Sequence, residues 1–298
     1  MKICFLAPEF IPNWGGTGTY TINLLKHLPR DLDIHVVTLR RNIVGQDSYF
    51  RPKEEIIERL GRPVSIHYLS VAKDTFLYNV GFQIACFREL PKLHKQHHFD
   101  IIHSNHCHMP DLYYQLFRKT RVPTVTTVHD FLDVKRANIR SSGIEFRALD
   151  RSEKGMLALY PFLRLSEISY IRRVPMFIAP SSYIAGILHS FGLSDEQIQV
   201  VPNGVDTSIF RPAEIKPSEN GLRPSVLFTG RFVSHKGIDT IINAIPRVIR
   251  SVPDAQFVFT GAGIPTRYSK LLEHRRIPPR ALRFAGYVQN YFELSHVY

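Results

Sequence analysis

Cysteine is scarce in this 298-residue sequence, which contains only Cys4, Cys86 and Cys107. Thiols so few and so scattered do not suggest a disulfide framework, so we expect a reducing, cytosolic compartment. Long apolar runs are also lacking: no stretch is long enough to cross a bilayer, and the first residues show no signal-peptide pattern. Internal repeats and low-complexity segments do not occur either. These absences favour an ordinary globular protein over a disulfide-rich, membrane-spanning or repetitive one.

Acidic residues are too few to balance the basic ones. The sequence has 26 Asp and Glu against 38 Lys and Arg, which gives a formal net charge of +12. Such a surface favours anionic partners, namely nucleotides, nucleic acids or anionic lipids, although good solubility alone also explains it. The basic residues are spread along the chain and form no nucleic-acid-binding motif, so we expect no nucleic-acid partner.

Short apolar runs alternate with helical patterns along the chain. This alternation predicts an α/β fold with mostly parallel sheets. Residues 209–224 are rich in Pro, Glu, Lys and Asn, which is typical of a linker, so we predict a first domain at 1–208 and a second at 225–298. In the second domain the predicted strands include 225–229 and 256–260.

Helical and polar stretches complete the first domain. A long helix is predicted at 76–97, where Pro91 kinks or divides it. The basic residues of this helix also suit contact with an anionic membrane, although burial in the core is the favoured explanation. The polar residues 131–150 are predicted to form a mobile loop, and a single helix is predicted at 152–173.

The stretch 230–237, Gly-Arg-Phe-Val-Ser-His-Lys-Gly, follows a predicted strand and precedes a predicted helix. A glycine therefore turns the chain at a strand end and presents Arg231 and Lys236 where a helix begins. Two cations beside a helix N-terminus suit a phosphate or a diphosphate. The alternative is that both side chains are solvated loop cations without a ligand.

A second glycine-rich loop follows the first predicted strand. Gly15 and Gly16 precede a helix, so backbone N–H groups at its start can approach a phosphate or a sugar hydroxyl. The loop is not a dinucleotide-binding fingerprint, because the last glycine or alanine of that motif would fall at Thr21. A loop without a ligand is the alternative.

Histidines are concentrated where two predicted strands end. Residues 103–108 (His-Ser-Asn-His-Cys-His) match no structural zinc spacing, so we expect no metal there and interpret them as the lining of a polar cleft. The strand at 122–128 delivers His129 and Asp130 at its C-terminal end. A histidine at that position can orient a sugar or stabilise a developing charge.

Taken together, these stretches resemble the family-four glycosyltransferases. No single motif is specific to this family. The order and spacing of the motifs along nearly the whole chain are specific to it. The resemblance is carried by Gly15-Gly16 with the following helix, 126–130 (Thr-Thr-Val-His-Asp), 201–206 (Val-Pro-Asn-Gly-Val-Asp), 230–237, 259–263 (Phe-Thr-Gly-Ala-Gly) and 284–288 (Phe-Ala-Gly-Tyr-Val).

This resemblance implies a retaining enzyme of the GT-B fold, in which two Rossmann-like domains face each other across a cleft. It implies that His129 contacts the transferring sugar, and that Arg231 and Lys236 bind the donor diphosphate and stabilise the leaving group, so that all three residues are catalytic. It implies no metal or other cofactor, only the sugar nucleotide as donor substrate. The implied donor-binding residues are Gly15, Gly16, Thr17, Gly230, Arg231, Lys236, Gly261, Gly263, Tyr287 and Val288. The implied acceptor-side residues are Asn203, His106 and Asp130.

The sequence departs from the family pattern at its C-terminal end. In the family, the second domain continues beyond a segment like 291–298 to a donor motif of two glutamates separated by seven residues, which this sequence lacks. We therefore expect a C-terminally truncated member whose second domain is incomplete.

The resemblance also implies a function. The expected reaction moves a hexose from a nucleoside-diphosphate sugar to a saccharide or lipid-linked acceptor, in polysaccharide or glycolipid biosynthesis. We expect a cytoplasmic protein with peripheral contact to an anionic membrane on its cytoplasmic face. The alternative is a non-catalytic remnant that binds a nucleotide or an acceptor. An NAD-dependent enzyme is a weaker hypothesis, because neither glycine turn has the complete fingerprint.

Overall fold

The computed structural model describes residues 1–11, 15–41, 53–72, 78–119, 121–149, 151–211, 223–233, 236–261, 266–286, 288 and 291–297. The chain forms two compact units, each with its own parallel sheet. The first unit comprises Met1–Val134 and Gly155–Asn203, and the second comprises Lys135–Lys154 and Gly204–Tyr298. The segment 135–154 therefore belongs to the second unit, although it interrupts the first along the chain.

The first unit contains a seven-stranded sheet in which every strand pairs in parallel with its neighbours. The strands are β1 (Lys2–Leu6), β2 (Asp33–Arg41), β3 (Ser65–Ala72), β4 (Ile101–Asn105), β5 (Thr124–Thr127), β6 (Met176–Ala179) and β7 (Ile198–Val200). Their order across the sheet is β3-β2-β1-β4-β5-β6-β7. The order reverses between β1 and β4, and ligands of open parallel sheets bind outside the strand carboxyl ends at such a point.

Both faces of the central strands of this sheet are buried, as their apolar sequences predict. Successive side chains of a strand point to opposite faces, so β1 and β2 supply two separate cores. Phe5 pairs in register with Val36 and packs with it in one core. Leu6 pairs with Val37 and packs with it in the other. The predicted α/β class with parallel sheets is confirmed.

The helices between these strands are α1 (Gly16–His27), α2 (Lys53–Leu60), α3 (Tyr78–His97), α4 (Leu112–Phe117), α5 (Leu132–Ser141), α6 (Arg151–Ala158), α7 (Tyr160–Ile171) and α8 (Ser182–Ser190). Of the helices that the structure describes, none combines the length and the apolar composition that a bilayer crossing requires.

Helix α3 runs through Pro91 without dividing there. Proline has no N–H, so the carbonyl four residues earlier, that of Phe87, loses its helical donor. The guanidinium of Arg118 donates to this carbonyl at 3.0 Å and replaces the missing bond. An arginine distant in sequence thus allows a proline inside a continuous helix.

Two predictions about residues 131–173 are wrong. The segment predicted as a mobile loop contains α5 and a short 3-10 helix at Phe146–Ala148. Asp130 accepts the N–H of Phe131, and Glu167 accepts that of Leu132 at 3.1 Å, so side chains satisfy donors at the start of α5. The single helix predicted at 152–173 is two helices, because the chain breaks at Leu159 before a proline in the first turn of α7.

The second unit contains a three-stranded parallel sheet with the order β10-β9-β8. Besides the segment 135–154, it contains β8 (Ser225–Thr229), α9 (Ile238–Ser251), β9 (Gln256–Thr260), α10 (Thr266–His274), β10 (Leu282–Gly286) and α11 (Tyr291–Ser295). The strands predicted at 225–229 and 256–260 are confirmed. Apolar side chains of β8, β9, α9 and α10 form one core, which includes Phe228, Ile242, Phe257 and Tyr268.

Candidate functional site

In the first unit, polar side chains gather at the carboxyl ends of β1, β4 and β5, beside the start of α1. Glu9 follows β1, His108 follows β4, His129 follows β5, and Thr17 and Tyr20 lie in the first turns of α1. These five residues are called the first-unit cluster below. Their position beside the reversal of strand order is the one where parallel sheets bind ligands.

The carboxylate of Glu9 contacts two other members of this cluster, Thr17 and His108. The hydroxyl of Thr17 donates to its carboxylate, and His108 Nε2 lies 3.5 Å from both Glu9 Oε1 and Thr17 Oγ1. A Cβ added to Gly15 would lie 2.1 Å from the nearer Glu9 oxygen. A glycine at position 15 therefore leaves the space that the carboxylate occupies at the N-terminus of α1, where a negative charge is favoured.

His129 forms the other side of the cluster. Its ring packs edge-on against Tyr20, with ring centroids 4.6 Å apart. Burial and the neighbouring His108 lower the pKa of His129 to about 4, so the imidazole is neutral at neutral pH. Its Nε2 atom is buried and has no hydrogen-bond partner among the residues that the structure describes. A buried nitrogen without a partner costs free energy that a ligand hydroxyl could recover.

The hydroxyl of Thr127 connects Tyr20 to His103. Thr127, the last residue of β5, places its Oγ1 3.1 Å from the Tyr20 hydroxyl and 2.8 Å from His103 Nε2. Burial is the larger cause, and the neighbouring His129 the smaller, of a lowering of the pKa of His103 to about 4. This bridge orients the ring against which His129 packs.

The three residues predicted on the acceptor side lie in different surroundings. His106 is only 2% exposed; its Nδ1 donates to the Asp130 carbonyl at 3.0 Å, and its Nε2 lies 3.5 Å from Glu167 Oε1. The structure thus brings His106 and Asp130 together. Along the chain, His106 lies two residues before His108, and Asp130 directly follows His129. Asn203 is exposed at the end of the first unit. Contact of these residues with an acceptor stays a prediction.

In the second unit, two glycines meet where β8 and β9 end. Gly230 has a φ of 145°, and its N–H donates to the carbonyl of Thr260 at 3.0 Å. A Cβ added to Gly261 would lie 2.2 Å from the carbonyl oxygen of Gly230, which is too close for any side chain. The close approach of these two turns therefore requires glycine at position 261.

Arg231 and Lys236 follow Gly230 and are both exposed. Lys236 directly precedes Gly237, which takes a left-handed conformation (φ 73°) and caps the start of α9. Among the residues that the structure describes, neither cation has an acidic partner within ion-pair distance. Gly230, Arg231, Lys236 and Gly261 are called the second-unit turn below.

The remaining donor-binding predictions fall near the end of β10. Gly286 accepts hydrogen bonds from the Gly261 N–H at 2.8 Å and from the Thr260 hydroxyl at 2.9 Å, which ties the ends of β9 and β10 together. Val288 lies two residues beyond this carbonyl and is half-buried. Gly263 and Tyr287 lie outside the described residues.

Sequence reasoning missed Glu9, Tyr20 and His108 as members of one cluster. The sequence did carry a partial signal, since Glu9 and His108 follow predicted strands and Tyr20 lies in the helix predicted after the first of them. It could not show which strand ends are neighbours, because that depends on the order of strands in the sheet.

Two family profiles match the chain. Glycosyltransferase Family 4 matches residues 14–209, and Glycosyl transferases group 1 matches residues 223–298. The chain is 29% identical to the MMP alpha-(1->4)-mannosyltransferase of Mycolicibacterium hassiacum, over 83% of this chain and 61% of the relative. It is 22% identical to one component of the human phosphatidylinositol N-acetylglucosaminyltransferase, over 88% of this chain and 48% of the relative. The chain therefore spans less than two thirds of the length of either relative.

Solved structures share the fold. A sucrose-phosphate synthase from Thermosynechococcus elongatus superimposes with a TM-score of 0.70 at 17% identity, over 99% of this chain and 72% of that one. Anabaena Alr3699/HepE, solved in complex with UDP and glucose, superimposes with a TM-score of 0.60, also at 17% identity, over 99% of this chain and 72% of that one. At this identity the likeness concerns the fold alone, and it confirms the predicted GT-B-type fold.

Proposed function

Because the chain belongs to glycosyltransferase family 4, we propose that it transfers a hexose from a nucleoside-diphosphate sugar with retention of configuration. The observation that carries this proposal is the second-unit turn. There, two exposed cations without acidic partners in the described structure stand at a strand end, beside two glycines in close contact. A diphosphate is the ligand that best suits two such cations at the start of a helix.

Arg231 and Lys236 have a second role in this proposal. When the glycosidic bond of the donor breaks, negative charge develops on the leaving nucleoside diphosphate. Fixed positive charges stabilise that transition state more than the ground state, which accelerates the reaction. We propose that these two side chains take the part that a metal ion plays in other transferases, so that the transfer itself uses no metal.

The first-unit cluster suits the sugar better than the phosphates. The Glu9 carboxylate lies at the start of α1, and a second anion placed there would be repelled. Carboxylate oxygens accept hydrogen bonds from hydroxyls, and His129 offers a neutral imidazole with an unpaired buried nitrogen. Of the two ligands considered for Gly15, Gly16 and Thr17, a sugar hydroxyl is therefore favoured over a phosphate.

We propose a saccharide or lipid-linked acceptor on the side of Asn203, His106 and Asp130. The relatives support this class: one name specifies a mannosyltransferase, and the other a phosphatidylinositol N-acetylglucosaminyltransferase. A lipid-linked acceptor also agrees with the net charge of +12, which favours an anionic membrane surface. We propose the cytoplasmic face of a membrane as the place of action, in polysaccharide or glycolipid biosynthesis.

Product formation tests the proposal. The purified protein is incubated with UDP-glucose, UDP-N-acetylglucosamine and GDP-mannose, each with a panel of saccharide and phosphatidylinositol acceptors. We expect one donor to be consumed and a product with the donor's anomeric configuration to form. An inverted product would refute retention, and the absence of any product would count against the transferase.

A non-catalytic module that binds a nucleotide or an acceptor is the second candidate, because the exposed cations of the second-unit turn could bind a diphosphate without any transfer. Titration calorimetry with UDP, GDP and ADP, run beside the product assay, separates the two functions. Nucleotide binding together with transfer supports the enzyme, and binding without transfer supports the module. Binding of no nucleotide would refute the proposed role of the second-unit turn in both.

A further inference from the structure

Three histidines meet at the amino ends of the strands in the first sheet, at the opposite end from the first-unit cluster. His35 is the third residue of β2, His67 is the third residue of β3, and His97 is the last residue of α3. They come from three separate elements, so no local pattern in the sequence connects them. They play no part in the proposed transfer.

The sheet and the helix direct the three rings toward one another. His35 lies on the same face of β2 as Val37 and Leu39, which pack with Phe82 and other residues of α3. On the neighbouring strand, His67 stacks on His35, with the rings 5° from parallel. α3 ends at His97 because His98 takes a left-handed conformation (φ 56°), and this places the His97 ring 4.6 Å from that of His35.

The nitrogen atoms of the three rings are close enough to share one ion. His35 Nδ1 lies 3.0 Å from His67 Nε2, and one nitrogen from each of the three rings lies within 4.8 Å of the others. Tetrahedral zinc with bonds of 2.0–2.1 Å holds its ligand nitrogens about 3.3 Å apart. The nitrogens of His35 and His67 already have about this separation. Rotation of the half-buried His97 side chain would bring its nitrogen to the same distance from the other two.

A carboxylate lies beside the second ring nitrogen of His35, where it can accept a hydrogen bond from a metal-bound histidine. Asp33 Oδ1 lies 3.4 Å from His35 Nε2, which is the ring nitrogen on the opposite side from the one that faces His67. Metal-binding histidines almost always donate their second N–H to a carboxylate or carbonyl, which fixes the tautomer. A hydrogen bond between the His35 and His67 rings explains their short separation, but it does not explain why the third ring, that of His97, approaches both of them.

From this geometry we propose that His35, His67 and His97 bind a divalent transition-metal ion, with Zn²⁺ as the best match. Imidazole nitrogens without sulfur or several oxygen ligands favour Zn²⁺, Cu²⁺, Ni²⁺ or Co²⁺ over Mg²⁺ and Ca²⁺. His35 is buried, whereas His67 and His97 are half-buried, so a water molecule takes the fourth position from the solvent side.

Bound metal would add a shared ligand set to elements that already meet through packing, strand pairing and the hydrogen bond between His35 and His67. Among the strands that the structure describes, β3 lies at one edge of the sheet and pairs only with β2. An ion shared by β2, β3 and the end of α3 would hold this edge in place. We therefore assign the site a structural role, at a distance from the transfer chemistry.

Zinc binding to the whole protein tests the assignment. After treatment with a chelator and its removal, Zn²⁺ is titrated by calorimetry, and Co²⁺ is titrated by visible absorption, which reports tetrahedral coordination. We expect one equivalent of each ion to bind and Zn²⁺ to raise Tm. His67→Ala and His97→Ala should each weaken binding by more than about 100-fold, and Asp33→Asn by about 10- to 100-fold.

Two control variants test whether a histidine outside the proposed site contributes to binding. His98→Asn keeps a residue that tolerates the left-handed backbone and should leave the affinity unchanged. His189→Ala removes an exposed histidine that also lies 3.4 Å from a carboxylate, Asp195, and should likewise have no effect. Circular dichroism checks that each variant is folded. The assignment is wrong if the wild type binds no stoichiometric Zn²⁺, or if folded His67→Ala and His97→Ala bind it as tightly.

Discussion

Lys236 stands one residue before the glycine that caps α9, and its side chain is exposed. In the free protein this ammonium is well hydrated, so its removal should scarcely change the free energy of unfolding. Its contribution should appear only when a diphosphate is bound, because a charge-assisted hydrogen bond then replaces its hydration.

We predict that Lys236→Ala weakens nucleoside-diphosphate binding by about 1.5–3 kcal/mol, or roughly 10- to 150-fold. Titration calorimetry with the nucleotide that the wild type binds best measures the change. Lys270→Ala, which removes an exposed lysine from α10 in the same unit, should leave the affinity unchanged. Equal affinities for the wild type and Lys236→Ala would remove Lys236 from the site.

His129 and His103 make stability depend on pH. Burial lowers the pKa of each to about 4, whereas a histidine in the unfolded chain has a pKa of about 6.5. As the pH falls below 6.5, the unfolded state binds protons that the folded state does not bind until about pH 4. The free energy of unfolding should therefore decrease through this window and be unaffected by these two groups above it.

His129→Gln isolates one of these groups. Between pH 7 and pH 5, we predict that the wild type loses about 1–2 kcal/mol more stability than the variant does, because glutamine takes up no proton. Urea unfolding of both proteins at several pH values measures the difference. Parallel pH profiles would show that His129 is not held neutral by burial.

At the scale of elements, arginines from distant segments satisfy backbone carbonyls. Arg118 replaces the bond lost at Pro91 inside α3. Arg62, only 3% exposed, donates to four carbonyls at and beyond the end of α1. These carbonyls, at 2.8–3.2 Å, belong to Leu25, Leu28, Pro29 and Leu32. The last carbonyls of a helix have no partner within it, so this guanidinium acts as the C-terminal cap of α1.

We predict that Arg62→Lys destabilises the protein by about 2–4 kcal/mol, because an ammonium cannot reproduce the planar array of donors. Urea unfolding measures the loss, and hydrogen exchange should show the last turn of α1 opening more readily. Arg59→Lys, at an exposed position on α2, is the matched control and should change stability by less than about 0.5 kcal/mol. A similar effect of both substitutions would refute the capping role.

At the scale of the whole molecule, the net charge of +12 is the feature most relevant to location. We predict that the protein co-sediments with vesicles containing phosphatidylserine at low salt, and that binding falls steeply as salt screens the charges. Vesicles of phosphatidylcholine alone serve as the control. Equal binding to both kinds of vesicle, or binding that salt does not change, would contradict an electrostatic association.

Much of the fold could be predicted from the sequence, because buried parallel strands are continuous apolar runs that local patterns reveal. The strands at 225–229 and 256–260 have the predicted bounds. α5 could not be predicted, because its residues are mostly polar and its first N–H, that of Leu132, is satisfied by Glu167, which lies 35 positions away. The continuity of α3 through Pro91 likewise depends on the distant Arg118.

For the candidate sites, the sequence by itself determined the glycine turns, the cations of the second-unit turn and the histidine after β5. These are properties of short segments, in which a strand, a turn and a helix follow one another. Only the tertiary structure decided that Glu9 and Thr17 meet His108, which lies 91 residues after Thr17. It also decided that His35, His67 and His97 converge. Strand order and helix docking bring such residues together, and no local pattern of side chains encodes that order.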